Sequence, residues 1–499
     1  MTRRWLFADQ LGPHFLGGDQ PGDDDREHVL LIESKAAFRR RRYHRAKAHL
    51  ILSAMRHRAA ELGDRCRYVV AEGYRDGLAE VDDSLTVVDP TSWPARALVR
   101  DLGRTRDLRV LPARGFVTSQ ADFDEWVAGR RHLRQEDFYR DARRRTGILM
   151  EGDEPSGGRW NFDADNRMPP PRGATTLGLP EPLWPVEDEI DADVREQLAR
   201  WESEGIAFVG EDGPRRFAVT RDEALAVLED FISHRLPEFG PYEDAALVGD
   251  WAMAHSLLSV PMNLGLLDPR EVIDRVVEAW DDGGATLAST EGFVRQVMGW
   301  RDYVWHLYWH FGPDYVAESN ALSAHEPLPE WFRDLRADDV RARCLSTALA
   351  EVRARGWNHH ILRLMVLGNW ALQHAYDPAE VTEWFTSNYV DGYPWVMAAN
   401  VVGMALHADG GRMATKPYAA GGAYIKRMTD FCGGCAYRPD RRVGEQACPV
   451  TAGYWAFIAR HERAWARHPR MAQPVRGLAR LSDREELLEQ EAARGSDAP

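Results

Sequence analysis

Three cysteines near the C-terminal end have the spacing of a metal-binding site. Cys432 and Cys435 are separated by two residues, and Cys448 follows after twelve more and precedes a proline. One further thiolate would complete a four-coordinate sulfur site, and the chain offers Cys66 or Cys344. Zinc and a [4Fe–4S] cluster both accept four thiolates, and the Cys-Pro ending favours the cluster. The alternative is that these cysteines are free thiols. A disulfide framework is not expected, because 5 cysteines are few for so long a chain.

Two adjacent histidines, His359 and His360, offer proton chemistry. Histidine is the side chain best suited to general-acid work near neutral pH. Adjacent residues of a helix point about 100° apart, so the two rings are not expected to face one small site in the same way. One would donate a proton while the other orients it or packs against the core.

Other polar groups fall in stretches with helical periodicity. His255, Ser256 and Ser259 lie near a predicted helix start, where hydroxyls and free amides can hold a phosphate but also serve as ordinary caps. Gln296 and Arg301 follow in a later stretch, and arginine there pairs with either a phosphate or an acid.

Asp391 and Asn400 stand in a glycine- and aromatic-rich stretch that leads to the first clustered cysteine. A buried aspartate and asparagine could hydrogen-bond a flavin ring. The alternative is an aromatic-rich loop between helices.

Composition limits the class of protein. The 499 residues suffice for two or three domains, and 44% hydrophobic with 28% charged residues is typical of a globular protein. The N-terminus has too short an apolar run for a signal peptide or membrane span, so we expect a cytoplasmic protein with no membrane partner. The net charge of -15 argues against general nucleic-acid affinity, while the basic segment 39–47 is either solvated or a ligand or DNA contact.

The elements that must position these residues differ between the two halves. The first 120 or so residues alternate helical segments with short apolar runs, which predicts a parallel α/β sheet with strands at 5–8, 29–32, 67–71, 85–88 and 108–111. Asp9, Gln10 and Glu33 follow two of these strands, at the edge where ligands gather in such sheets. The alternative is a helix cap for Asp9 and a surface acid for Glu33.

In the rest of the chain, the composition and periodicity change twice. Residues 152–185 are rich in glycine and proline and predict a long connection. After about residue 221 the periodicity is helical throughout, and beyond about residue 481 the polar chain is expected to fray. We therefore predict an α/β domain at 1–130, a linker at 131–220 and an all-α domain at 221–499.

Several motifs together carry a resemblance to a known family. They are Asp9-Gln10-Leu11, Gly157-Gly158-Arg159-Trp160-Asn161-Phe162-Asp163, His255-Ser256-Leu257-Leu258-Ser259, His359-His360, Thr415-Lys416-Pro417-Tyr418 and the cluster cysteines. The chain resembles the bacterial iron–sulfur cryptochromes and photolyases, which include prokaryotic (6-4) photolyases. The resemblance implies a Rossmann-like antenna domain, a helical FAD-binding domain, and a [4Fe–4S] cluster on Cys344, Cys432, Cys435 and Cys448.

The resemblance also implies an activity. Blue light would excite reduced FAD, which passes an electron to a pyrimidine (6-4) photoproduct flipped out of UV-damaged DNA. His359 and His360 would supply the proton, Trp384 would belong to the photoreduction relay, and Tyr418 and Tyr424 would lie near the lesion. The implied flavin residues are His255, Ser256, Leu258, Ser259, Gln296, Arg301, Asp391 and Asn400.

The family's antenna chromophore, 6,7-dimethyl-8-ribityllumazine, would lie at Asp9, Gln10 and Glu33. Relatives that bind it tend to carry an acid where this chain has Ala37, so the antenna is expected to bind weakly, differ or be missing. We expect a monomer.

Three other positions depart from the family pattern. Phe385 replaces a frequent tyrosine and Arg336 replaces a relay tryptophan, which leaves the outer electron path open. Met397 stands where some relatives have an acid. The alternatives to repair are a cryptochrome photoreceptor with the same cofactors and a light-independent nucleic-acid-binding iron–sulfur protein.

Overall fold

The N-terminal sheet has five parallel strands in the order β3-β2-β1-β4-β5. The computed structural model describes residues 2–17 and 27–499. The strands are β1 Thr2–Leu6, β2 His28–Ser34, β3 Cys66–Ala71, β4 Ser84–Val88 and β5 Leu108–Leu111. All five predicted strands are confirmed, but β1 ends earlier than the predicted 5–8 because the chain turns at Phe7, whose carbonyl accepts from the Gln10 N–H.

Apolar residues on alternate positions cover both faces of the sheet. Trp5, Leu30 and Ile32 pack on one face with helices Tyr74–Ala79 and Trp93–Leu102. The opposite face packs on helix Arg45–Leu62 and on residues of the helical half, so one core joins the two halves. A sheet buried on both faces is typical of parallel α/β domains.

The connection predicted at 152–185 is confirmed as a stretch of few regular elements. It follows the short hairpin Met150–Glu151 and Glu154–Pro155. Helix Glu189–Ser203 then packs through Val194 and Leu198 against helix Arg45–Leu62. The C-terminal part of the linker region therefore packs against the sheet domain, whereas Phe162 and Asn166 bond to the helical half.

The C-terminal half is helical, as predicted. Two helices before residue 150 also pack toward it, since Phe123 and Phe138 lie in its core. The remaining helices outside the sheet domain are Gln120–Val127, Gln135–Thr146, Arg221–Asp230, Leu236–Tyr242, Ser259–Asn263, Pro269–Asp281, Leu287–Val294, Asp302–Phe311, Tyr315–Glu318, Glu330–Arg333, Arg343–Arg355, Asn369–Gln373, Pro378–Asn388, Pro394–Met397, Gly422–Met428, Pro449–Arg460, Glu462–Trp465, Ala472–Leu478 and Arg484–Arg494. In the part of the chain that the structure describes, no helix combines the length and apolar character needed to cross a membrane.

The expectation that the chain frays beyond residue 481 is wrong. Helix Arg484–Arg494 buries Leu487 completely. The final carbonyl, of Pro499, accepts hydrogen bonds from the backbone N–H groups of Arg341 and Ala342 at 2.6 and 2.9 Å. A polar tail is ordered here because its few apolar and carbonyl groups find partners on the helical half.

The basic segment 39–47 joins parts of the fold. Arg41 pairs with Glu383, Arg42 with Asp334, and Arg45 with Glu202. Glu383 and Asp334 belong to the helical half. These arginines are therefore engaged within the chain, which removes the main reason to regard the segment as a DNA contact.

Candidate functional site

A cavity of about 320 Å³ lies in the helical half and gathers most of the predicted cofactor residues. This size is typical of a small-molecule or cofactor site. Much of its wall is aromatic, from Phe239, Phe293, Trp300, Trp357 and Trp395. The predicted residues that line it are His255, Ser256, Ser259, Gln296, Arg301, His360, Asp391 and Asn400. The fold thus brings distant sequence stretches to one place.

Three π-helical turns position part of this wall. They are Arg295–Arg301, Leu362–Gly368 and Ala398–Ala405. Such turns are rare and often occur at functional sites. They carry the cavity-lining side chains of Gln296, Arg301, Arg363 and Asn400.

A strained loop presents the first polar group of the cavity. Met253 and Leu257 adopt left-handed φ values of 49° and 58°, which are uncommon outside glycine and cluster at functional sites. Between them lie His255 and Ser256. Leu258, predicted to contact the cofactor, is instead fully buried in the core, and Leu257 takes the place on the cavity wall.

Asp391 is the most connected carboxylate of the site. Its two oxygens accept from the Ser259 hydroxyl at 2.8 Å and from the Arg363 guanidinium at 2.8 Å. Its backbone carbonyl accepts from the Asn263 side-chain amide at 3.2 Å. One acidic residue therefore ties together three segments of the cavity wall.

Arg301 places a buried positive charge at the cavity. Burial lowers its pKa to about 10, against the opposing charge of Asp302. Its Nη1 donates to the Gly115 carbonyl at 2.7 Å, while its Nε is buried and has no partner among the described residues. The guanidinium also stacks on Phe116 and Trp395. An anionic group in the cavity would relieve this buried charge.

Two amides complete the polar lining. The Gln296 amide donates to Glu243 at 2.5 Å, and burial raises the pKa of that carboxyl. The Asn400 amide nitrogen donates to the Val396 carbonyl at 2.9 Å, which leaves the Asn400 oxygen as an acceptor.

His360 sits in a chain of titratable groups at the cavity. Its Nε2 lies 3.3 Å from an Asp244 oxygen, and its Nδ1 lies 3.1 Å from His255 Nε2. Burial and the neighbouring His360 lower the pKa of His255 well below its usual value, so His255 is neutral. Although burial opposes it, bonding to His360 keeps the pKa of Asp244 below its usual value. His360 is thus the imidazole that a carboxylate holds in place.

His359 occupies a different environment from His360. It is buried, burial lowers its pKa well below the usual value, and its Nδ1 accepts from the Ile361 N–H. Its Nε2 is buried without a partner among the described side chains. As expected, the two histidines do not face the cavity in the same way, although their rings lie 4.8 Å apart at an interplanar angle of 23°. His359 precedes the helix, so helical geometry does not separate them.

Trp384, predicted for the electron relay, does not line the cavity. Its ring packs against Phe332, Phe385 and Tyr389 at centroid distances of 4.8, 5.1 and 6.0 Å. Arg336 is half-exposed and pairs with Glu330. Two of the three rings that contact Trp384 are therefore phenylalanines.

A large basic groove adjoins the cavity. It has a volume of about 630 Å³ and shares Trp300 with the cavity wall. Its basic lining residues are Arg134, Arg140, Arg167, Arg295, Lys416 and Arg470, against the acids Glu136 and Asp163. Tyr418 lines it and is 38% exposed. A local basic surface of this kind suits a polyanion despite the acidic total charge.

Tyr424, the second predicted DNA residue, lies outside the groove lining. It is on helix Gly422–Met428, and Arg427 lies 5.5 Å from its ring centroid. Burial, followed by the charge of Asp244, raises the pKa of the Tyr424 phenol.

The four predicted cluster cysteines meet at one small cavity. Cys344, Cys432, Cys435 and Cys448 all line it. Burial, followed by the neighbouring thiols, raises the pKa of Cys344 well above its usual value and that of Cys432 to about 12. A Cβ at Gly422 would lie 3.0 Å from the Cys448 sulfur, so the glycine keeps room beside the thiols. Four converging thiols fit a tetrathiolate metal site.

The predicted antenna residues are already bonded within the protein. Gln10 donates to the Val88 carbonyl at 3.2 Å, and Asp9 accepts from the Thr91 hydroxyl. Glu33, 1% exposed, accepts from Arg56, Tyr68 and Gln197. Because their polar groups have partners, these residues do not argue for a bound lumazine.

A known protein matches this chain over almost its whole length. The chain is 38% identical over 496 residues to a (6-4) photolyase of Agrobacterium fabrum, covering 96% of this chain and 95% of the relative. The chain belongs to the bacterial photolyase–cryptochrome family. Residues 4–208 also match the family model described as deoxyribodipyrimidine photo-lyase-related protein.

Solved structures show the same fold as this photolyase-family chain. A class III photolyase from Agrobacterium tumefaciens is 16% identical, with a TM-score of 0.55 and 86% of both chains covered. A cryptochrome from Synechocystis is 13% identical, with a TM-score of 0.56, covering 97% of this chain and 99% of that one.

Sequence reasoning on this photolyase-family chain missed two acids and an arginine of the site. Asp244, Glu243 and Arg363 bond to His360, Gln296 and Asp391. Adjacent acids such as Glu243 and Asp244 are common on protein surfaces, so no spacing marked them. Arg363 lies within the histidine stretch, four residues after His359, and that proximity was the available signal.

Proposed function

We propose that the protein is a light-dependent DNA repair photolyase for pyrimidine (6-4) photoproducts. The observation that carries this is the junction at Trp300 of an aromatic cofactor cavity, with His360 on its wall, and a basic groove. The near full-length identity to a protein named (6-4) photolyase points to the lesion class.

FAD is the cofactor that fits the cavity best. The Arg301 guanidinium lines the cavity with a positive charge that suits an anionic diphosphate, and the aromatic wall suits flat rings. Asp391 and Asn400 present oxygen acceptors for N–H or hydroxyl groups of the cofactor. When bound and reduced, FAD supplies the light-excited electron for repair.

The groove holds the DNA and the cavity mouth receives the lesion. Lys416 and Arg470 neutralise phosphates, and Tyr418 offers a ring to an unpaired base. A damaged base leaves the duplex at lower cost than an intact one, which contributes to selectivity. Trp300 lies where the groove meets the cavity, so a flipped lesion would pass it.

His360 supplies the proton for group return. It is the histidine that lines the cavity, whereas His359 is almost fully buried behind it. Asp244 accepts a hydrogen bond from His360 and holds its ring at the cavity wall. His255 is neutral and fixes the other ring nitrogen.

We infer that Cys344, Cys432, Cys435 and Cys448 hold a [4Fe–4S] cluster. The four thiols line one cavity, and the Cys-Pro ending favours iron–sulfur over zinc. The cysteines join helix Arg343–Arg355 to the segment after helix Gly422–Met428. Iron and acid-labile sulfide assays of anaerobically purified protein test the assignment, and stoichiometric zinc would contradict it.

The decisive experiment uses chemically reduced protein and blue light. An oligonucleotide with one (6-4) photoproduct should be repaired in light and unchanged in darkness, and a matched oligonucleotide with a cyclobutane dimer reports lesion choice. Bound, photoreducible flavin with no repair of either lesion would indicate a photoreceptor instead. Protein without flavin absorption would reject both.

A further inference from the structure

A second group of tryptophans leads from the cofactor cavity to the surface. Trp357 lines the cavity and is buried. Its ring centroid lies 5.3 Å from that of Trp251, and Trp251 stacks on Trp184 at 5.9 Å with an interplanar angle of 22°. Trp184 belongs to the linker region and is 37% exposed. Three indoles in sequence thus connect the cavity wall with solvent.

The surroundings of Trp384 explain why a separate path is needed. Two of its three ring neighbours are Phe332 and Phe385, and phenylalanine is much harder to oxidise than tryptophan or tyrosine. Its third neighbour, Tyr389, hydrogen-bonds Asn358 on the cavity wall. Trp384 therefore has an oxidisable neighbour toward the cavity and phenyl rings elsewhere.

We propose that Trp357, Trp251 and Trp184 form the electron path by which the light-excited flavin is reduced. The inference rests on the proposed function in one respect, that FAD occupies the cavity. It adds a path through the linker region that the resemblance did not imply.

Electrons move through the three tryptophans from the surface toward the cavity, one at a time. Trp357 gives one electron to the excited flavin and regains one from Trp251, which regains one from Trp184. The oxidised Trp184 loses its indole N–H proton to water. A thiol in solution then returns one electron and one proton to Trp184, and two thiols that have each lost one electron and one proton form a disulfide.

A competing set of indoles also starts at the cavity. Trp395 leads to Trp305, Trp309 and Trp93 at centroid distances of 5.6, 5.2 and 4.7 Å. The Trp93 indole N–H is buried and has no partner among the described residues, so an oxidised Trp93 has no route for its proton. The Arg96 guanidinium lies 3.2 Å from the Trp309 ring centroid and pairs with Asp89 at 2.5 Å, so its charge does not distinguish the two paths.

Arginines also cover two rings of the proposed path. Arg216 covers Trp184 at 4.0 Å and Arg355 covers Trp251 at 4.8 Å. Arg355 faces Glu351 at 3.6 Å, and water at the exposed Trp184 screens the charge of Arg216. These contacts hold the neutral rings in their stack, and solvent favours the oxidised form at the outer end.

The test compares Trp184→Phe and Trp251→Phe with the matched controls Trp93→Phe and Trp384→Phe. Each protein is illuminated with blue light in the presence of dithiothreitol, and flavin reduction is followed by absorbance. We expect roughly tenfold slower reduction for the first two variants and unchanged rates for the controls. Bound flavin measured in darkness shows that each variant folds and retains the cofactor.

Transient absorption gives a second readout that does not depend on the thiol. The tryptophan radical should be short-lived in Trp184→Phe, because the charge stops one ring inside and returns. Trp184→Tyr should restore a long-lived radical with a tyrosyl spectrum. Wild-type rates and radical lifetimes in Trp251→Phe, or slowing in Trp93→Phe or Trp384→Phe instead, would overturn the path while leaving the proposed repair function intact. A protein that binds no flavin would overturn both.

Discussion

Replacing Asp244 with asparagine tests whether this carboxylate keeps His360 ready to donate a proton. The substitution keeps the size and a hydrogen-bond acceptor but removes the negative charge 3.3 Å from His360 Nε2. At that distance Coulomb attraction is about 1 kcal/mol in water and about 5 kcal/mol at an effective dielectric of 20. The His360 side chain is 43% exposed, so we take the lower part of this range, about 1 to 2 kcal/mol.

That energy corresponds to a roughly tenfold change in rate. Asp244→Asn should therefore repair the lesion about tenfold more slowly than wild type, with its bound flavin unchanged. Repair is measured on a (6-4) oligonucleotide with the flavin reduced chemically, so photoreduction does not enter. Asp274→Asn, which breaks a surface pair with Arg270, is the control.

A wild-type repair rate in Asp244→Asn would refute the role of the carboxylate. Stability gives an independent check on the same group. Because the folded pKa of Asp244 lies below its usual value, its contribution to stability is present above the usual value and is lost as pH falls through the folded value. Asp244→Asn should therefore lose stability relative to wild type at neutral pH and not at strongly acid pH.

Three further predictions concern the cofactors and the DNA. Cys435→Ser should lose cluster iron and lower the melting temperature because cluster binding is coupled to folding, whereas Cys66→Ser, in β3, should keep full iron; a fully loaded Cys435→Ser protein would contradict the site. Arg301→Met should weaken FAD binding by about 1.5 to 3 kcal/mol, measured by fluorescence of released flavin, and Arg301→Lys by less; equal affinity would remove Arg301 from the diphosphate site. Lys416→Ala should weaken DNA binding similarly for damaged and undamaged duplexes and reduce the salt slope by about 1, with the exposed Arg270→Ala as control; an unchanged slope would place the DNA elsewhere.

Short sequence patterns predicted the parts of the fold that are determined by residues close together in the chain. The five strands were found because each is a short apolar run, and the sheet order then placed Asp9 and Gln10 beside β4. The cysteine spacing indicated a metal site, and the family resemblance chose Cys344 over Cys66. The structure supports that choice, since Cys344 lines the cavity of the other three thiols.

The failures share a cause, because contacts between distant segments decided the outcome. The polar tail is ordered by the Arg341 and Ala342 backbone, more than 150 residues away. The partner of His360 is Asp244, 116 residues earlier, and no spacing in the sequence connects them.

Lys47 links the sheet domain to the cofactor cavity. From helix Arg45–Leu62 it donates to the carbonyls of Thr386 and Gly392, which flank Asp391 in the chain. Its Nζ also lies 5.3 Å from the centroid of the Tyr393 ring. Asp391 is thus held through its carboxylate by Ser259 and Arg363, and through the neighbouring backbone by Lys47 of the sheet domain.

Burial lowers the pKa of Lys47 to about 7. Between about pH 7 and the usual lysine pKa, this group therefore loses its proton when the chain folds. Its contribution to stability therefore falls as pH drops from the usual lysine value toward about 7, and stays constant below that. A neutral or charged amine can donate to both carbonyls, so the link persists across this range. Residues 221–499 alone would lack Lys47 and leave two buried carbonyls without their donor. The unit that shapes the cofactor cavity is consequently the sheet domain together with the helical half, and the predicted boundaries do not separate an independent cofactor-binding domain.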